Sequence, residues 1–188
     1  MRIFGITGSL SSGKTTASKF LSKKRGPLFS ADYIVKKLYS NNKFKKLLSK
    51  NFNINNFTNI KKSLRDKILK DKSNIKKLEK ITHPLVRKKM KTFLIKNKNK
   101  KFVFLEIPLL VESKLMNYFD IIFYIKANKK IRMKRFKSKG GNKMIFNILN
   151  KKQLADVKKT KFCDHIVVNE STLNILNKKL SDIFKKYE

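Results

Sequence analysis

At 188 residues, 40% of them hydrophobic, the chain can bury one core of ordinary size, and no apolar run approaches the roughly 20 residues that cross a bilayer; with no signal peptide ahead of its first strand, a single cytoplasmic domain over 1–188 is expected. Its formal net charge of +36, from 48 Lys+Arg against 12 Asp+Glu, lies mostly in lysines spread along the whole chain among many Asn, Ile and Phe, which reads as compositional drift that steers nucleotides and attracts RNA only incidentally, at low salt. The single cysteine, Cys163, excludes an internal disulfide framework and a cysteine zinc cluster and reads as a small core residue.

In chain order, Arg2–Thr7 predicts a buried strand, Gly8-Ser9-Leu10-Ser11-Ser12-Gly13-Lys14-Thr15 a P-loop, and Thr16–Leu21 the helix behind it. Glycine lets the backbone amides converge on one anion at the positive end of that helix. Lys14 can then reach the β- and γ-phosphates of a nucleotide, and the Thr15 hydroxyl can ligand Mg²⁺. Gly26-Pro27 ends the helix, and Leu28-Phe29 reads as a short second strand running into Ser30-Ala31-Asp32, with a helix from Tyr33. Asp32 is either a helix cap or a carboxylate facing the P-loop at the strand ends, where open α/β sheets bind ligands.

Residues 43 to 98 hold no convincing strand. Helices are predicted around Phe44, Leu47 and Leu48, around Leu64, Ile68 and Leu69, and around Ile75, Leu78 and Ile81 with Ser73 as N-cap, while Asn-rich 51–62 reads as a loop. The third helix is predicted to stop at Thr82-His83-Pro84, because a residue before proline is pushed out of the α region, and Pro84 opens a fourth helix carrying Val86, Met90, Phe93 and Leu94. His83 at that junction is either structural or catalytic, and Arg87, one turn on, is either solvated or a clamp for a substrate phosphate.

After a polar linker at 96–101, Phe102–Glu106 reads as a central parallel strand ending in an acid suited to organise Mg²⁺-bound water or a substrate hydroxyl. Ile121–Ile125 and His165–Val168 add further strands, so the fold class is α/β: a P-loop NTPase fold with about five parallel strands and helices on both faces. Between the last two strands, 129–160 begins as a basic helix with Arg132 and Arg135 and passes Lys139-Gly140-Gly141, a flexible point in what reads as a lid over the nucleotide. The C-terminal segment with Leu173, Leu176, Leu180, Ile183 and Phe184 reads as an amphipathic helix against the sheet.

In this order, Ile6-Thr7-Gly8 with the P-loop, Ala31-Asp32, His83-Pro84-Leu85-Val86-Arg87, Pro108-Leu109-Leu110-Val111-Glu112, Gln153 and Asp164–Asn169 resemble the dephospho-CoA kinase family over almost the whole chain. The resemblance implies ATP-dependent phosphorylation of the ribose 3′-hydroxyl of dephospho-CoA, with ATP and Mg²⁺ bound by residues 8–16 and adenine near Asn169. Asp32 then matches the family's active-site aspartate, with Lys14 and Arg135 as catalytic cations. Thr7, His83, Arg87, Glu106, Pro108 and Leu109 fall on the acceptor side, and Arg132, Arg135 and Lys139 on the lid. It implies a core of about 1–32, 99–136 and 161–188, an acceptor-binding region of about 33–98 and a lid of about 137–160; no specific nucleic acid and no membrane is expected as a partner, and a monomer is expected with an oligomer left open. Where the family commonly has glycine this chain has Ser9 and Ser11, a strain of order 1 kcal/mol at either position if its φ is positive. Ser30 stands for the first acid of an Asp-Ala-Asp run, and Lys139 for an arginine. A P-loop kinase with another acceptor, or a basic RNA-binding protein, are the alternatives.

Overall fold

The computed structural model describes residues 1–55 and 59–188. Strands β1 (Arg2–Gly8), β2 (Leu28–Ser30), β3 (Phe102–Glu106), β4 (Ile121–Lys126) and β5 (His165–Val168) form one sheet in the order β2-β3-β1-β4-β5. Every pairing is parallel. β1 lies at the centre because its residues are buried from Phe4 to Gly8, and in a strand alternate side chains must find cover on opposite faces. On one face Phe4 and Ile6 join Phe104, Phe123, Ile125 and Val167 beneath two helices, α1 (Lys14–Ser22) through Ala17 and Leu21, and α9 (Leu173–Phe184) through Leu176, Leu180 and Phe184. The Phe4 ring stacks on Phe104 at 5.2 Å between centroids and meets Phe184 at 5.1 Å. On the other face Leu110 and Phe119, from the segment after β3, lie over Gly5.

This order has a consequence for ligands. β1 leads through α1 to β2 on one side of the sheet, whereas β3 leads to β4 on the other. The carboxyl ends of β1 and β3 therefore flank the point where connections diverge, which is where open α/β sheets leave a crevice.

Residues Ala31–Phe93 form a second compact unit. It contains α2 (Ala31–Leu38), α3 (Asn42–Phe52), α4 (Ile60–Lys70) and most of α5 (Ser73–Lys96). Phe44, Leu48, Phe52, Ile54, Ile60 and Leu64 make its core, with Leu78, Ile81 and Leu85 packed against it. The expected loop at 51–62 is shorter at both ends, and its centre, 56–58, lies outside the described residues. Ser73 begins α5 instead of capping it; its N–H donates to the Asp71 carboxylate at 2.8 Å, and the two bonds from Ser73 hold that carboxyl below its ordinary range.

The predicted break at His83-Pro84 does not occur. Proline removes one backbone donor and crowds the preceding turn, a cost of about 3 kcal/mol in a helix interior. Apolar residues on both sides of it, Leu78, Ile81 and Leu85, pack on the same core, so α5 continues through Pro84. Thr82 donates its hydroxyl to the Leu78 carbonyl one turn back.

Helices α6 (Lys129–Lys137), α7 (Lys143–Lys152) and α8 (Asp156–Thr160) connect β4 to β5. Gly140-Gly141, expected to be a flexible point, forms the closed end of α6. Gly140 has φ +79, its N–H bonds the Lys137 carbonyl, and the Gly141 N–H reaches back to Phe136, the pattern of a Schellman cap.

A buried ion pair ties α8 to the segment after β3. Lys159, fully buried, places its ammonium 2.6 Å from Glu112, which also accepts the N–H of Leu154. Removing one partner strands a buried charge. Glu112→Ala is expected to cost about 3–5 kcal/mol, seen as a fall in melting temperature of about 6–20 °C for a chain of this size. The double variant Glu112→Ala/Lys159→Met should recover most of that loss in the same thermal scan. Cys163, half-buried beside Lys159, donates to its carbonyl, and burial pushes the thiol up to about 12, so it stays protonated and inert.

Candidate active site

The loop between β1 and α1 closes on itself, with the Ser12 N–H donating to the Ser9 carbonyl at 3.1 Å. Lys14, only 7% exposed, folds its ammonium across the loop onto the same Ser9 carbonyl at 2.9 Å. The Ser12 hydroxyl is buried beside Gly8 with no hydrogen-bond partner among the described residues. Gly13 is required twice over: its φ is +101, and a Cβ there would lie 2.1 Å from the Asn169 amide nitrogen. A buried ammonium folded across a loop at a helix N-terminus is suited to an anion.

Of the two serines, only Ser11 adopts a left-handed backbone, at φ +58. Ser11→Gly should therefore stabilise the protein by about 1 kcal/mol, a rise in melting temperature of about 2–4 °C. An unchanged or lower melting temperature would mean that the serine side chain compensates for its backbone.

At the end of β3, Glu106 is 1% exposed and accepts the Thr15 hydroxyl proton at 2.5 Å, with Ser18 at 3.4 Å from its other oxygen. A hydroxyl that gives its proton to a carboxylate turns its lone pairs elsewhere. Thr15 and Glu106 together form a set of hard oxygen donors beside the loop, of the kind Mg²⁺ takes when most of its shell is water and phosphate. No cluster of three or more His, Cys, Asp or Glu that could hold a metal occurs among the described residues.

Two arginines of α6 reach the P-loop, and they do different things. Arg132 is buried: Nε donates to the Ala127 carbonyl, one terminal nitrogen donates to Asn150 at 2.7 Å and lies 3.4 Å from the Leu10 carbonyl, and the guanidinium sits over Phe146. It is a strut. Arg135 donates to the carbonyls of Asn169 and Ser12 at 3.1 and 3.3 Å, and the Asn169 side chain donates to Ser12 at 2.8 Å. Arg135 and Asn169 thus meet the P-loop at one carbonyl.

The remaining expected site residues separate into those near this loop and those in the second unit. Thr7, the penultimate residue of β1, donates to the Pro108 carbonyl at 3.2 Å, bringing the Pro108-Leu109 segment to the end of the strand. Thr16 is exposed on α1, and Lys139 is exposed at the end of α6. Asp32, His83 and Arg87 belong to the second unit. Asp32 lies in the first turn of α2, two residues after β2 ends, which makes it a first-turn acid and not the cap itself. His83 is half-buried and Arg87 exposed, four residues apart and so on one face of α5.

Sequence reasoning missed Tyr124, Asp156 and Asn150. Tyr124 is fully buried in β4, its hydroxyl 2.9 Å from Ser9 and 2.8 Å from Asp156, and Ser9 lies 2.5 Å from the same Asp156 oxygen. The available signals were a phenol in an otherwise hydrocarbon strand and an acid in a lysine-rich segment.

A five-stranded parallel sheet in this order, with a P-loop joining β1 to α1 and a carboxylate beside it at the end of β3, defines a P-loop kinase. The fold is that of dephospho-CoA kinase from Campylobacter jejuni, with a TM-score of 0.65 over 100% of this chain and 97% of that one, at 22% identity. The chain is 34% identical to dephospho-CoA kinase from Rickettsia typhi, covering 100% of this chain and 98% of that protein, and 34% identical to that from Bartonella quintana over 89% and 88%. The family model for dephospho-CoA kinase matches residues 2–174. The chain belongs to the dephospho-CoA kinase family.

Proposed function

We infer that this protein transfers the γ-phosphoryl group of ATP to the ribose 3′-hydroxyl of dephospho-CoA, giving CoA and ADP, the last step of coenzyme A biosynthesis. The observation that carries this is the family match over 2–174 in a chain whose P-loop is fully formed around Lys14. The bond from the γ-phosphorus to the β,γ-bridging oxygen breaks, the bond from O3′ to that phosphorus forms, and the hydroxyl proton leaves.

The transition state of such a transfer is loose, so alignment and charge stabilisation carry catalysis. Lys14 releases the Ser9 carbonyl and takes the γ-phosphate, P-loop amides other than those of Leu10 and Ser12, which are engaged within the protein, hold the remaining phosphate oxygens, and Arg135 adds charge from α6. Asp32 orients the acceptor hydroxyl and receives its proton. Thr15, oriented by Glu106, would hold Mg²⁺; bound there, the ion screens the phosphate charge. His83, Arg87, Thr7, Pro108 and Leu109 serve the acceptor, within a helical region of about 33–98, and about 137–160 covers the nucleotide. The enzyme works as a cytoplasmic monomer; no helix among the described residues is long and apolar enough to cross a membrane.

The decisive experiment is an ATP-dependent coupled assay with dephospho-CoA beside AMP, CMP and shikimate, with the product's phosphate position read by ³¹P NMR. Dephospho-CoA should be preferred by orders of magnitude, with a 3′-phosphomonoester as product. A preference for any of the other three would transfer the reading to another small-molecule kinase.

A further inference from the structure

The crest of the P-loop, Ser9-Leu10, is gripped on every polar group that the structure records for it. The Ser9 carbonyl receives Lys14 and the Ser12 N–H, and the Ser9 hydroxyl meets Tyr124 and Asp156. The Leu10 N–H donates to Gln153 at 2.8 Å, and its carbonyl lies 3.4 Å from Arg132, which also holds Asn150. Three of these partners flank the short return from α7 to α8: Asn150 in the last turn of α7, Gln153 just after it and Asp156 at the start of α8. That return is itself fixed from behind by the Glu112–Lys159 pair.

We propose that Tyr124 and Asp156 are positioning residues for nucleotide binding: acting through the Ser9 hydroxyl, they lock the P-loop crest to the base of α8 and hold the loop ready for triphosphate. The cluster is one unit. Three oxygens lie within 2.5–2.9 Å of one another, yet the two hydroxyls bring only two protons. Asp156, an acceptor when ionised, takes at least one of them and makes that bond charge-assisted. Burial raises the Tyr124 phenol above its ordinary range, so it remains a donor throughout the working pH range. Glycine or alanine at position 9 has no hydroxyl to offer, so the serine here gives the crest an anchor that a bare backbone loop lacks.

The physical consequence is a cost avoided at binding. A loop ordered beforehand does not lose its freedom when the phosphates arrive, and the affinity gained is set by that saving. Losing a buried hydrogen bond of ordinary strength should weaken ATP binding about tenfold. The anchor's side-chain bonds run between the P-loop, β4 and α8, and although Tyr124 is the sheet neighbour of Thr7, the affinity for dephospho-CoA should change far less than that for ATP.

The proposal rests on the P-loop being the ATP site, and the test separates the two. ATP binding to the full-length protein is measured by calorimetry, first for wild type and then for Ser9→Ala, Tyr124→Phe and Asp156→Asn, with KM for both substrates alongside. If wild type binds no ATP, the site assignment fails before the variants matter. If wild type binds, each variant is expected to raise the ATP dissociation constant and the ATP KM about tenfold while the dephospho-CoA KM moves less than twofold. Ser9→Ala/Asp156→Asn should be no worse than the poorer single variant, whereas Gln153→Ala, on the separate Leu10 contact, should add to either. Tyr124→Phe keeps the ring and hence the strand core, so it reports even if Asp156→Asn folds poorly. ATP affinities within twofold of wild type in all three single variants, or ATP and dephospho-CoA KM values rising in step, would overturn the proposal in favour of a cluster that only supports the fold.

Discussion

Lys14→Ala is expected to reduce phosphoryl transfer by about 10³-fold and to weaken ATP binding, with little effect on folding. The loop keeps its own closure without the lysine, because the Ser12 N–H still donates to the Ser9 carbonyl and Gly13 still fits beneath Asn169. What disappears is the P-loop's lysine ammonium, held 2.9 Å from the Ser9 carbonyl and proposed as the partner of the γ-phosphate. Charge that develops on the γ-phosphoryl oxygens in the transition state then lacks its nearest partner. Steady-state assay and circular dichroism of the purified variant check both halves. Transfer within tenfold of wild type would refute the role given to Lys14.

Asp32→Asn should leave ATP affinity within about twofold, because the role proposed for this carboxylate is toward the acceptor hydroxyl, while cutting turnover by at least about 100-fold, the low end for a positioned base. Asparagine has the size of aspartate and still accepts a hydrogen bond, so a loss of that size isolates the negative charge and proton affinity. Asp32 is a first-turn acid on α2, two residues past the end of β2. Single-turnover kinetics with saturating ATP and dephospho-CoA would measure it directly. Turnover near wild type would remove Asp32 from the reaction.

The sheet could be read from the chain because its middle strands are runs that only a two-sided interior accommodates: Phe102–Glu106 and Ile121–Ile125 are buried throughout. The P-loop was legible because strand, loop and helix fall in register around Lys14, and the family match followed from motifs in order. Pro84 misled because a local rule about one missing N–H was weighed without the core that α5 packs on at either side. The Ser9–Tyr124–Asp156 cluster was out of reach for another reason. Its members are 115, 32 and 147 residues apart along the chain, and no local pattern encodes a contact at that separation.

The position of β1 has a bearing on how the molecule is made. Phe4 pairs with Phe104 on one side and Ile121 on the other, so β1 has no sheet neighbour until β3 and β4 have been synthesised. At the usual pace of about 5–20 residues per second, β1 and the P-loop wait roughly 5–20 s on the ribosome before β3 emerges. Over that interval Arg2–Gly8 is an apolar segment without a sheet, while 31–93 carries a core of its own. The P-loop is thus translated well before the strands that flank its own, and a chain truncated before residue 102 has no sheet in which to set it.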